Sequence, residues 1–303
     1  MKVGKLVIFE IGEGSFETGF PVKIRIGEQG KTHRLEISGR LPASPDLPSK
    51  YHEWQSIYHN LPANWLITIP KAQITNVSTI GSCQYAASRF LDSFNEWLNT
   101  ASVRKLERQL LLNIQNWQQT RLILQTKNSL LLRFPWHRWE MFEENNYQPE
   151  IVIASEYEPA ATKLKSPVKI LAVFGDSTGI NVEADLQALE QKLPDAKIYA
   201  LKQPRRKELM DCLWNGDWDI LFFAGHSSSQ AEDSWGEIKL NSEENLLLVN
   251  FRHALQNAVR KGLKLAIFNS CDGLGLARNL ADLRIPYTIV MREPVPDIVA
   301  QHF

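Results

Sequence analysis

Hydrophobic and polar positions alternate over the first forty residues in the manner of strands. Lys5-Leu-Val-Ile-Phe-Glu-Ile11, Val22-Lys-Ile-Arg-Ile26 and Arg34-Leu-Glu-Ile37 are separated by Gly12-Glu-Gly14 and by Gly27 to Gly30. Val22, Ile24 and Ile26 interleave with Lys23 and Arg25, the period-two signature of a half-buried strand. This stretch is expected to be an antiparallel β unit, and Leu41–Pro48, with three prolines, a loop. The period then changes. Phe90, Phe94 and Trp97 recur at i, i+4 and i+7, and Leu106, Leu110, Ile114 and Trp117 repeat the stripe, which predicts two helices with core-facing aromatics. Arg121-Leu-Ile-Leu-Gln125 and Leu130-Leu-Leu-Arg133, spaced by Lys127-Asn-Ser129, read as a hairpin. Pro135 stands where a helix through Trp136-His-Arg-Trp-Glu-Met141 could start.

Beyond Glu156–Pro167, which reads as a short linker, strand and helix patterns alternate. Strands are expected at Val168–Phe174, Ala196–Leu201, Asp219–Ala224, Leu265–Phe268 and Tyr287–Met291. Helices are expected at Val182–Leu193, Lys207–Trp214, Phe251–Lys261 and Leu274–Leu283. From Ile220 on, the third strand is continuously apolar, as a strand buried on both faces requires. This alternation predicts an α/β fold, a doubly wound layer with a mostly parallel sheet over 167–303, preceded by an α+β region over 1–155.

Composition narrows the function classes. The chain has 303 residues, 44% hydrophobic and 22% charged, which fits a globular protein. Lys+Arg 34 balances Asp+Glu 34. Residues 1–150 hold 17 basic and 14 acidic side chains against 17 and 20 in the remainder, so neither half has the basic footprint that nucleic acid selects. Three cysteines build no disulfide framework and suit a reducing compartment. No run reaches the roughly 18 apolar residues of a membrane span, and Leu6–Phe9 is too short for a signal-peptide core. A soluble, cytoplasmic protein without membrane or nucleic-acid partners is expected.

In an open parallel sheet, function gathers at the carboxyl ends of strands. Three such ends carry unusual residues: Gly175-Asp-Ser-Thr-Gly179, Gly225-His-Ser227 and Asn269-Ser-Cys-Asp-Gly273. If the strands ending at His226 and Cys271 are neighbours, a base and a thiol share one crevice, as covalent cysteine catalysis requires. The backbone N–H groups of Ser227 and Cys271 stand where an oxyanion would develop. Asp233, Asp272 or a backbone carbonyl could orient the imidazole. Cys83 and Cys212 lack such a setting, and no histidines pair as metal ligands. The Gly175–Gly179 loop lacks the lysine of a phosphate-binding loop, and no Gly-x-Ser-x-Gly elbow is present, so neither a nucleotide, a metal nor another cofactor is expected.

Phe222-Phe-Ala-Gly-His226 with Phe268-Asn-Ser-Cys-Asp-Gly273 resembles the catalytic pair of caspase-like, clan CD-type cysteine peptidases. Cys271 follows His226 by 45 residues, close to the caspase separation of about 50. More narrowly the chain resembles bacterial CHAT domains over roughly residues 120–303. That resemblance rests further on Phe134-Pro-Trp-His-Arg-Trp139, Trp235–Leu240, Gly275-Leu-Ala277, Ile285–Val290 and Val295-Pro-Asp297. It implies that His226 is the general base and Cys271 the nucleophile of a peptidase hydrolase acting through a thioester on protein substrates, under control of a partner. By the same resemblance Asp176 is a candidate for choosing the residue before the scissile bond, where it would favour a basic one, unless it is an exposed loop residue that caps the following helix.

Three departures accompany the resemblance. Ser227 stands where caspases have glycine, and a positive φ there would be strained. No tetratricopeptide repeats precede the peptidase half. CHAT domains continue past Pro296–Phe303, which reads as the start of a helix, so the domain is expected to be cut short at its C-terminus. A catalytically inactive scaffold for protein–protein interaction is the alternative function.

Overall fold

A computed structural model describes residues 5–28, 34–61, 80–154, 164, 166–228, 236–270, 280, 283 and 285–291. The chain divides into two compact units, Met1–Asn60 with Ser78–Ala161 and Leu61–Val77 with Thr162–Phe303.

The first unit opens with β1 (Lys5–Ile11), β2 (Phe20–Glu28) and β3 (Leu35–Leu41), paired antiparallel in sequence order. The alternation in β2 holds, since Val22, Ile24 and Ile26 are buried and Lys23 is exposed. After β3 the chain does not stay a loop to Pro48. It enters α1 (Leu47–His59), where Pro48 occupies the first turn and its missing N–H costs nothing. The two expected helices are α2 (Ile80–Leu98) and α3 (Ala101–Asn113), and their apolar stripes join one core. Ile114 and Trp117 fall beyond the end of α3, yet both are buried in that core.

β4 (Thr120–Thr126) is correctly read, but its hairpin partner is not a strand. Leu130–Arg133 lies in α4 (Ser129–Arg133), because the Asn128 side chain accepts from the N–H groups of Leu130 and Leu131 and so starts a helical turn. β4 also has no edge to offer a hairpin arm, since it runs parallel to β1 on one side and to β5 (Glu150–Ala154) on the other. Pro135 precedes a single 3₁₀ turn, Trp136–Arg138, rather than the first turn of a longer helix. At three residues per turn, that geometry puts Trp136 and Trp139 on one side, and both are buried. The helical segment that follows is α5 (Glu140–Glu144). The resulting sheet has the order β3-β2-β1-β4-β5, mixed rather than wholly antiparallel.

The second unit alternates as the sequence predicts. Its elements are β6 (Lys169–Phe174), α6 (Val182–Lys192), β7 (Lys197–Lys202), α7 (Arg206–Asn215) and β8 (Ile220–Ala224). Then come β9 (Ser227–Ser228), β10 (Glu237–Lys239), β11 (Asn245–Leu247), α8 (Leu248–Lys261), β12 (Leu265–Asn269) and β13 (Tyr287–Val290). Five strands form an all-parallel sheet in the order β13-β12-β8-β6-β7. All five residues of β8 are buried, and each large apolar side chain so buried contributes about 1.5–3 kcal/mol. α6 covers one face of the sheet, packing Leu186 on Ile170, Ala172, Phe174, Ile220 and Phe222. α7 and α8 belong to the core on the other face. The antiparallel trio β11-β10-β9 is an insertion between β8 and α8 that the sequence pattern left unread. The linker expected over Glu156–Pro167 and the helix expected over Leu274–Leu283 lie mostly outside the described residues, and Pro296–Phe303 wholly so.

Candidate active site

The winding direction reverses between β6 and β8. From β6 the chain moves outward to β7, then returns to β8 on the other side and continues to β12 and β13. Such a switch point leaves a crevice at the carboxyl ends of the two central strands, because the connections leave them in opposite directions. The three strand ends singled out from the sequence are those of β6, β8 and β12, which are adjacent in the sheet. Phe174 and Asn269 each stand in register with Ala224, so the three strands end at the same level.

Two glycines allow the strand ends to close together. A Cβ on Gly225 would sit 3.1 Å from the Gly175 Cα, and one on Gly175 would overlap the Lys239 carbonyl oxygen. With hydrogen in place of side chains, Gly175 donates to Ala224 and Asp176 donates to Lys239 through their main-chain N–H groups.

His226 follows directly. Its Nε2 lies 2.8 Å from the carbonyl oxygen of Thr178. A carbonyl only accepts, so Nε2 carries the proton and Nδ1 of the neutral ring is left with its lone pair. Nδ1 is shielded from solvent and has no hydrogen-bond partner among the described residues. Thus a backbone carbonyl orients the imidazole, one of the three candidates open from the sequence. Asp233 and Asp272, the other two, lie outside the described residues.

Ser227 is extended rather than left-handed. It pairs with Ile238 of β10, and the only non-glycine residues with positive φ among those described are Asn146 and Gln203. The strain expected from replacing glycine here is therefore not incurred. The Lys239 N–H donates to the His226 carbonyl, which makes Ser227 and Ile238 a non-hydrogen-bonded pair. The alternation of the ladder turns the Ser227 N–H away from β10.

Asp176 is not the exposed loop residue, or the helix cap, that its position after a strand suggests. It is 3% exposed and ion-pairs with Lys239, while it accepts from the N–H and hydroxyl of Thr178. Lys239 and, after it, Thr178 hold the carboxyl well below the usual carboxylate range, against the opposing effect of burial. The cap of α6 is Asn181, which accepts from the Ala184 N–H.

Cys271, two residues beyond the end of β12, lies outside the described residues. Burial pushes both other thiols up, Cys83 on α2 and Cys212 on α7, the latter aided by Glu208 and Asp211. Among the described residues no helix is long and apolar enough to cross a membrane.

Pattern reading missed three participants. Thr178 holds the His226 ring through a main-chain atom, which leaves no residue signature. Lys239 is visible only as an outward position in the Glu237-Ile-Lys239 alternation. Asp185, whose carboxylate accepts from the Asn269 side chain at 3.0 Å, did leave a signal. It falls at the i+3 position of the Val182, Leu186, Leu189 stripe, an acid where an apolar residue is expected.

A family model for the CHAT domain matches residues 93–303, more than two thirds of the chain. The match starts within α2 and so includes β4 and β5 as well as the whole parallel sheet. No curated protein matches the chain.

Proposed function

Because this chain belongs to the CHAT domain family, which is caspase-like and peptidase-related, we propose that it is a cysteine endopeptidase working through His226 and Cys271. The observation that carries the reading is the imidazole held by the Thr178 carbonyl, with Nδ1 left as the basic atom at the end of the strand next to β12.

In the proposed reaction, His226 Nδ1 takes the proton of the Cys271 thiol, and the thiolate attacks the scissile carbonyl carbon. The carbonyl oxygen becomes an oxyanion, met by the N–H groups of Ser227 and Cys271. The imidazolium is stabilised by the Nε2–H bond to Thr178. As the C–N bond breaks, its Nδ1 proton passes to the leaving amine, giving a thioester on Cys271. Water, deprotonated by Nδ1, then hydrolyses the thioester and returns the thiol. No cofactor takes part.

Substrate choice is assigned to the same strand ends. Asp176 with Lys239 forms a neutral pair, which favours an uncharged residue before the scissile bond over a basic one. The protein acts in the cytoplasm on protein substrates, and a partner protein controls access to it.

The test is a peptide-library digest comparing the parent with Cys271→Ala. Cleavage products that vanish in Cys271→Ala support the proposal. A folded parent that yields no Cys271-dependent product would leave a caspase-like scaffold for protein–protein interaction.

A further inference from the structure

Asp185 is out of place for a residue whose only task is to pack. It lies in the first turns of α6, 7% exposed, on the face that buries Leu186 against the sheet. Taking a carboxylate out of water costs several kcal/mol unless its oxygens are bonded. Alanine or leucine at this position would close the core without that cost. Part of the compensation comes from the α6 N-terminus, where the aligned peptide dipoles favour a nearby anion. Another part comes from the Asn269 side chain, whose Nδ2 donates to Asp185 Oδ1 at 3.0 Å.

Asn269 is the last residue of β12, and β8 separates β12 from the strand that leads into α6. The bond therefore reaches across a strand, from the helix after β6 to the end of β12. Its position matters because of what else the same segment holds. Between β6 and Asp185 the chain supplies Thr178, whose carbonyl fixes the His226 ring. It also supplies Asp176, which ion-pairs with Lys239, and the Lys239 N–H holds the His226 carbonyl. Residues 176–185 thus hold His226 directly through Thr178 and indirectly through Lys239, and the end of β12 through Asp185.

We propose that Asp185 is a positioning residue, acting through its hydrogen bond to Asn269 to hold the strand end that continues as Ser270-Cys271 in alignment with His226. The inference rests on the proposed peptidase reading and deepens it. A single segment then holds both His226 and the end of β12. Misplacing a reacting group by about 1 Å costs on the order of 100-fold in rate, and a hydrogen bond across the sheet limits such displacement.

The experiment uses isosteric exchanges, which leave core volume unchanged. The full chain is compared with Asn269→Asp, which sets two carboxylates against each other, and with the exchanged pair Asp185→Asn plus Asn269→Asp, which restores the bond with donor and acceptor reversed. The readout is the rate of iodoacetamide alkylation of Cys271 across pH 5–9, with Cys212 as reference within each molecule and the thermal midpoint recorded in parallel. Asn269→Asp is expected to slow Cys271 alkylation by about 10–100-fold while Cys212 keeps its rate, and the exchanged pair is expected to recover the larger part of that loss. A role in stability alone would lower the thermal midpoint of Asn269→Asp and leave the Cys271 rate unchanged at temperatures where the protein is folded, which would overturn the inference. Failure of the exchanged pair to recover would overturn it as well. Should Cys271 of the parent react no faster than Cys212, the peptidase reading itself fails, and the positioning role falls with it.

Discussion

The imidazole of His226 is bonded through Nε2 to the carbonyl oxygen of Thr178 at 2.8 Å, and this contact decides which ring nitrogen can act as a base. A side-chain carboxylate in the same place would exchange protons with the ring, whereas a peptide carbonyl does not titrate. The neutral ring is therefore expected as the single Nε2–H tautomer. Nitrogen-15 chemical shifts of the neutral histidine rings should show, for His226, a protonated Nε2 and an unprotonated Nδ1. The opposite tautomer would remove Nδ1 as the base.

His226→Gln separates orientation from basicity. The glutamine amide can still donate to the Thr178 carbonyl, but it takes up no proton near neutral pH. Peptide cleavage is expected to fall by about 10²–10⁴-fold, the usual contribution of a general base, with the thermal midpoint close to that of the parent. Substantial residual cleavage in this variant would show that another group draws the proton from Cys271.

Asp176 predicts a pH dependence of stability. Its pairing with Lys239 and Thr178 lowers the carboxyl pKa in the folded state. A lowered folded-state value adds stability that is complete above the unfolded value, about pH 4, and is lost as the pH falls from there toward the folded value. Asp176→Asn should therefore lower the thermal midpoint at pH 7 by more than it does at pH 2.5. Equal losses at both pH values would mean that the Asp176 charge contributes nothing to folding.

Gly175→Ala should affect both stability and cleavage. Its Cβ would overlap the Lys239 carbonyl oxygen, a backbone atom that yields only if β10 moves, at a cost of about 1–3 kcal/mol. Gly262→Ala is the control: φ there is +128° with open space around the Cβ position, so it costs about 1–2 kcal/mol of backbone strain in the turn between α8 and the amino end of β12, rather than at the carboxyl ends of the strands. Urea titrations paired with cleavage rates should show loss of stability in both and loss of activity in Gly175→Ala alone.

The three thiols should separate kinetically. Burial raises Cys83 and Cys212 above the ordinary thiol range, so both should alkylate slowly at pH 7. A Cys271 thiolate stabilised by His226 should alkylate fastest, and His226→Ala should bring its rate down toward theirs. Peptide mapping after a timed iodoacetamide pulse measures all three at once.

Much of the fold follows from local pattern. The β2 alternation, the aromatic stripe on α2 and the apolar run of β8 each encode burial within a few residues, and the structure follows them. Local pattern failed where a local signal competed with sheet context. Leu130–Arg133 has the composition of a strand, but Asn128 caps a helical turn there and β4 already has parallel neighbours on both sides. The apolar character of Glu150–Ala154 became a fifth strand only because β4 offered it an edge.

The sequence by itself determined that strands and helices alternate after residue 167, and that His226 and Cys271 follow two of those strands. Periodicity and punctuation carry that information because they depend on neighbours in the chain. The tertiary structure decided that β8 lies between β6 and β12, that a backbone carbonyl from the β6–α6 connection holds the imidazole, that Asp176 is buried against Lys239, and that Asp185 reaches Asn269. Those relationships join residues 48 to 84 positions apart. They arise from the order in which crossovers lay strands side by side, which no local pattern of hydrophobic and polar residues records.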